Sequence, residues 1–488
     1  MRRTVGRALL VTGALIAAGL TAGQPAIAAR QEPMAHFVVL AKKGVPLART
    51  EASVRDAGGR VVWSWPQIGV VVATAPDAGF PAAVRPLPGV VAAGATRDLA
   101  ELHGVEPASK SVGASFAVAG PLRAAGAEPL AAYQWSMRQI GADRAHAISG
   151  GSRNVVVGVI DGGLDAGHPD LAPNVDARRS VGCADEGVPD TSPDAWAPLH
   201  PDFGHGTAVA GIIAAARNGV GIAGVAPNVR IASVRIGDAD GFVYPEYLIC
   251  GYVWAAEHGI QVTSSSLFAD PWLRWCDDDP DQAATVEAMR RAIDYATGRG
   301  VVNVAAIGNS NWDLSHPVLD NESPDNGEPI ERLTGDNCHM VPAELPGVVT
   351  VSAVGALERK ARYSNYGIRD VDVTAPSGDV DQIPDTPDHN TGILTTVNNG
   401  QWTYFGGTSA AAPHVAGVIA LIRSTHPRWT AQQVTAALTR QADRLPCPPG
   451  GRYDPDGTGA WLAHCEGGRS GQGFYGHGQI DALAAVTR

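Results

Sequence analysis

Residues 154–171 read NVVVGVIDGGLDAGHPDL, and the first eight decide the fold. β-Branched side chains at 155, 156, 157, 159 and 160 leave no polar face. A strand of that kind is expected where both faces of a parallel sheet are covered. The run ends on Asp161 before Gly162-Gly163, a turn signal. The same grammar repeats downstream. GTAVAGIIAAAR (206–217) reads as a helix, VRIASVRI (229–236) as a strand and PEYLICGYVWAAEHG (245–259) as a helix. IQVTSSSL (260–267) is a strand, QAATVEAMRRAIDYATGRG (282–300) a helix, and VVNVAAIG (301–308) and VVTVSAVG (348–355) are strands. Apolar strands alternating with helices predict an α/β fold, a doubly wound, mostly parallel sheet flanked by helices. Ligands of such sheets sit beyond the carboxyl ends of the strands, so polar residues just past those ends are the ones to examine.

Upstream the grammar differs. MRRTVGR is cationic, the next 16 residues are apolar, and AIA at 26–28 is a small-x-small cleavage signal, so residues 1–28 read as a secretory signal peptide. No later stretch is long and apolar enough to span a membrane, and the mature protein is expected to be secreted. Residues 29–100 read as a small α+β unit, with HFVVLAK as a strand, PLARTEASVRDAG as a helix and GRVVWSWPQIGVVVATA as a hairpin. Residues 101–132 are rich in Ala, Gly, Pro and Ser, a linker composition, and the α/β unit follows over 133–488.

Composition narrows the function. The chain has 488 residues, 45% of them hydrophobic, and 37 Lys plus Arg against 49 Asp plus Glu, a net charge of −12. An acidic chain without a basic cluster is a poor partner for nucleic acid. Six cysteines in an exported chain suggest three disulfides, and Cys447 and Cys465, which bracket a Gly/Pro-rich loop, are paired first. NGVGIAG at 218–224 fits the dinucleotide pattern but follows a helix and precedes a strand, the wrong context.

Two strand ends and two helix starts stand out: Asp161, and Asn309 in NVAAIGNSN, then His205 in DFGHGTAVAG and Ser409 in YFGGTSAAAPHVAG. Singly, each is an ordinary turn or capping residue. Together they hold what acyl transfer to serine needs. A serine hydroxyl is inert at neutral pH without a base, and a base near neutrality selects histidine. A carboxylate must fix the imidazole tautomer, and a donor must meet the developing oxyanion.

The blocks VVVGVIDGGLDAGHPDL, GHGTAVAG, AAIGN and GGTSAAAPHVAG, in that order, resemble the signatures of subtilisin-like serine proteases. The resemblance implies Asp161, His205 and Ser409 as catalytic triad and Asn309 as oxyanion donor. It implies protein or peptide substrates, held by Ser266, Leu267 and Phe268 on one side and Gly241 on the other. Phe268 stands where the family has glycine, which narrows or reshapes the pocket. The resemblance also implies no cofactor for the chemistry, a structural calcium near Asp170 and Asn218 (with Gln134 only close to the third ligand), and a monomer. The 29–100 unit is similar to the family's propeptide, which chaperones and inhibits the enzyme and is then cut off. Insertions around 180–201, 270–282 and 311–340 are expected to be surface loops near the cleft.

Overall fold

The structure is a computed structural model that describes residues 34–97, 116–118, 128–198, 200–201, 203–467 and 472–488. The 1–28 segment and most of the 101–132 linker lie outside the described residues.

The central sheet has eight strands, in the order Val373–Pro376, Val348–Val354, Val302–Ala306, Val262–Ser265, Val156–Asp161, Arg230–Arg235, Val181–Asp185 and Val188–Asp190. Every pairing is parallel except the last, at one edge. The strand that decided the reading shows why the sheet is covered twice. Val157 and Val159 enter one apolar cluster, with helices His205–Ala214 and Thr408–Thr425. Val156 and Ile160 enter the other, with helices Pro245–Glu257 and Pro280–Gly298. Period-two alternation between two buried faces needs apolar residues throughout.

The N-terminal unit is a four-stranded antiparallel sheet in the order Arg60–Trp65, Val70–Ala75, Ala35–Ala41, Val90–Ala95, carrying helices Leu47–Asp56 and Phe80–Val84. Its strands alternate as well. Phe37, Val39, Val71 and Ala73 face its own core, whereas Val38, Leu40, Val70 and Val72 join the cluster of the α/β unit. The sheet thus docks face-on against Pro280–Gly298. Arg85 pairs with Asp281, Thr285 donates to the Ala95 carbonyl (2.9 Å), and Arg97 reaches Glu246 (3.0 Å) and the Tyr247 hydroxyl (2.9 Å). Within the linker range, Phe116–Val118 pairs antiparallel with Gln401–Phe405, the strand that runs into the Ser409 helix.

Three disulfides occur. Cys447–Cys465 closes the loop expected from sequence, Cys183–Cys250 ties a sheet strand to helix Pro245–Glu257, and Cys276–Cys338 joins two of the insertions. Among the described residues no helix is long and apolar enough to cross a membrane.

Candidate active site

Asp161, the last residue of its strand, is fully buried. Both carboxylate oxygens lie near His205 Nδ1, at 2.8 and 2.9 Å, and Oδ1 also accepts from Gly162 N at 2.7 Å. An ionised carboxylate only accepts, so Nδ1 carries the proton and Nε2 is left as a lone pair. His205 opens the helix His205–Ala214, and its neighbour must be glycine. A Cβ on Gly206 would lie 2.2 Å from the Gly163 carbonyl oxygen. The imidazole stacks on Phe203 (centroids 6.1 Å apart) and takes the edge of Phe405 (5.1 Å). Burial alone would lower its pKa. The charge of Asp161 and its hydrogen bond outweigh burial and hold His205 above its ordinary value.

Ser409 is the second residue of helix Thr408–Thr425, which enters from Gly407 at φ +78°. Its hydroxyl donates to the Ser266 carbonyl at 3.0 Å, and the Ser266 hydroxyl donates to the Ser409 carbonyl, also at 3.0 Å.

Asn309 follows the strand Val302–Ala306. Its Oδ1 accepts from Thr408 N (2.8 Å) and Thr408 Oγ1 (3.0 Å), which makes the other end of the carboxamide the NH2. Thr408 Oγ1 also accepts from Gly308 N at 3.1 Å. From behind, buried Asn365 brackets the turn: Oδ1 takes Ser310 N (3.0 Å) and Trp312 N (2.9 Å), and Nδ2 donates to the Ile307 carbonyl (3.0 Å). The Gly407 turn rests on Tyr363, whose hydroxyl accepts from Gly407 N at 3.2 Å, and on Ser377, which bonds the Gly407 carbonyl.

Thr408, Tyr363, Asn365 and Ser377 are absent from the sequence reading. One signal was legible: Ser377 directly follows the strand Val373–Pro376, the position that drew attention to Asp161. The pairing of Thr408 with Asn309 spans 99 residues and left no local trace.

Ser266, Leu267 and Phe268 follow the strand Val262–Ser265, with Leu267 packed on the second core cluster. The segment is held beyond Phe268 by Ala269 N donating to the Val341 carbonyl at 2.9 Å. Gly241, at φ +89°, sits in a tight turn in which Asp238 Oδ1 accepts from Asp240 N (3.1 Å) and Phe242 N (2.9 Å). His414 is buried in its helix, with Nδ1 donating to the Ala410 carbonyl at 2.7 Å.

Of the two residues expected near calcium, Asp170 is fully buried. Its Oδ2 takes Ile222 N (2.9 Å) and Trp402 Nε1 (2.8 Å), while Oδ1 has no partner. Glu128, beside it, accepts from Gly219 N at 3.0 Å and likewise leaves a buried oxygen, Oε2, unpartnered. Burial pushes both carboxyls up. The Asn218 side chain closes the turn, donating to the Pro169 carbonyl (3.0 Å) and accepting from Val220 N (3.0 Å). Gln134 bonds only the Ala223 backbone, at 2.9 and 3.1 Å. Among the described residues no three His, Cys, Asp or Glu converge as metal ligands. A cation here would rest on Asp170 and Glu128.

A buried carboxylate–imidazole pair, a hydroxyl at a helix start and an oriented carboxamide at the carboxyl edge of a parallel sheet suit nucleophilic hydrolysis through serine. The profile of the subtilase family, peptidase S8, matches residues 152–466. The chain belongs to the subtilase family of serine endopeptidases. It is 31% identical over 312 residues to a subtilisin of Bacillus pumilus, covering 64% of this chain and 92% of that protein. With fervidolysin of Fervidobacterium pennivorans it shares 30% identity over 329 residues, 64% of this chain but only 41% of that protein's length. The crystal structure of the epidermin leader peptide processing serine protease of Staphylococcus aureus superposes with a TM-score of 0.64 at 22% identity, over 93% of this chain and 98% of that one.

Proposed function

We propose that the protein is a secreted endopeptidase that cleaves peptide bonds through a Ser409 acyl-enzyme and is made as a self-processing zymogen. The observation that supports the reading is the Asp161–His205 hydrogen bond at one strand end, together with Asn309 held by Thr408, the residue before Ser409, at another. His205 Nε2 takes the Ser409 proton as Oγ attacks the substrate carbonyl. The oxyanion is met by Asn309 Nδ2 and Ser409 N. The C–N bond then breaks, and His205 returns the proton to the leaving amine. Water, deprotonated by the same imidazole, hydrolyses the ester.

The docked N-terminal unit would act as inhibitor and chaperone, and the strand pairing of Phe116–Val118 beside the nucleophile's approach strand supports cleavage in that linker. Mass spectrometry of expressed wild type beside Ser409→Ala tests this. A fragment ending between 101 and 132, lost by wild type and kept by the mutant, is expected. Equal cutting of both would assign processing to another protease.

Asp170 and Glu128 fit a structural cation, since each has an unpartnered buried oxygen. Calcium prefers such an oxygen set. It would neutralise two buried carboxylates and brace the 218–224 turn, with no part in bond breaking.

A narrower reading, a processing protease with few targets, is favoured by Phe268 and by the Cys276–Cys338 bond that ties two insertions together. Cleavage of a peptide library separates the two readings.

A further inference from the structure

Two residues beyond Asn309 the chain makes an uncommon move. Asn311 has φ +55°, a left-handed conformation that non-glycine residues hold only when their surroundings impose it. Three contacts do so here. Asn311 N donates to the Tyr363 carbonyl (2.7 Å), Nδ2 donates to the Leu462 carbonyl (3.2 Å) in the loop closed by Cys447–Cys465, and Oδ1 accepts from Lys360 Nζ at 2.6 Å.

Lys360 is the unexpected partner, because its side chain is only 1% exposed. Its other two ammonium protons go to the Arg362 (3.2 Å) and Ala361 (3.3 Å) carbonyls, and it lies 5.0 Å from the Tyr366 ring centre. Among the described residues no carboxylate forms an ion pair with it; Asp379 and Asp313 act from a distance, and burial pushes its pKa down to about 7. Burying a cation against neutral oxygens is unfavourable, and an apolar side chain would fill the space at less cost. What an apolar side chain would not do is hold Asn311 Oδ1.

We propose that Lys360, acting through Asn311, is a positioning residue for the oxyanion donor Asn309. It fixes the left-handed turn that ends the Asn309 loop, just as Thr408 fixes the loop's other side. The loop then has no slack with which to swing the Asn309 NH2 away from the developing charge. This rests on Asn309 being the oxyanion donor.

The test compares Lys360→Met with wild type, alone and in an Asn309→Ala background, on one peptide amide substrate. Active sites are counted by fluorophosphonate labelling. Misplacement of a donor by a fraction of an ångström is expected to lower kcat about ten- to a hundredfold with KM nearly unchanged. In the Asn309→Ala background, Lys360→Met should add nothing. Asn311→Gly, which accepts the backbone conformation but has no Oδ1, should reproduce the loss, and it replaces Lys360→Met if that variant does not fold. An equal loss with and without Asn309, or a change in KM alone, overturns the proposal. No loss in Asn309→Ala itself overturns the underlying assignment, a result recognisable before the lysine variant is made.

Discussion

Ser266 and Ser409 exchange two hydrogen bonds, each hydroxyl donating to the other's carbonyl at 3.0 Å. The reason lies four residues on, at Pro413 inside the helix. Proline has no N–H, so the Ser409 carbonyl loses its usual i+4 helical donor. The Ser266 hydroxyl supplies one from the neighbouring strand end. The bond that replaces a missing helical one thereby fastens Ser409, the proposed nucleophile, to the wall expected to hold substrate.

Ser266→Ala should therefore act on the nucleophile as well as on binding. It strands the partly buried Ser409 carbonyl, which costs at most about 1–3 kcal/mol. The expected result is a lower Tm together with slower fluorophosphonate labelling of Ser409. Unchanged labelling would mean that the helix start is held without Ser266.

Asn309→Ala should lower kcat by about 10²–10³ with KM little changed, a magnitude taken from removal of the corresponding donor in subtilisin rather than derived from this site. Thr408→Val, which keeps N–H but loses the hydroxyl bonded to Asn309 and Gly308, should give a smaller kcat loss. Steady-state kinetics on one amide substrate checks both.

The proposed base works only when neutral. His205 is held above its ordinary 6.5 by Asp161 despite burial. Activity should fall as pH drops through that raised value, so the acid limb of kcat/KM is expected above pH 6.5. Asp161→Asn removes the cause. The residual activity, lower by about 10⁴, should show its acid limb shifted downward.

Chelation should reveal the cation. EGTA should lower the Tm of wild type, and Asp170→Asn with Glu128→Gln should remove that sensitivity. A Tm indifferent to EGTA in wild type would leave the two orphan oxygens without a cation.

Docking of the N-terminal unit should weaken in acid. Glu186 is held at about 2, chiefly by its hydrogen bond with His36 and, against partial burial, by Arg60. A depressed carboxyl stabilises the docked state above its free value, near 4.5, and that contribution is lost as pH falls toward 2. Binding of the separate N-terminal unit to Ser409→Ala protein, followed by calorimetry from pH 5 to 3, should weaken. In Glu186→Gln the dependence should flatten.

Much of this was legible in the chain. Runs such as 155–160, apolar on both faces, and 301–306, interrupted only by Asn303, could be little else than inner strands, and the strand-end rule led to Asp161 and Asn309. The supports were not legible. Asn365 and Tyr363 act through bonds to residues between 44 and 58 positions away, a relation set by which strand lies beside which rather than by local pattern. Glu128 sits in a stretch of linker composition, and only its closeness to Asp170 gives it meaning.

The bridge Cys276–Cys338 joins a loop that follows the Ser266–Phe268 wall to one that follows Asn309. The two loops form one mechanical part. Anyone grafting a new preference onto this cleft would have to transplant both together, since moving either alone would leave an unpaired thiol and an unbraced partner.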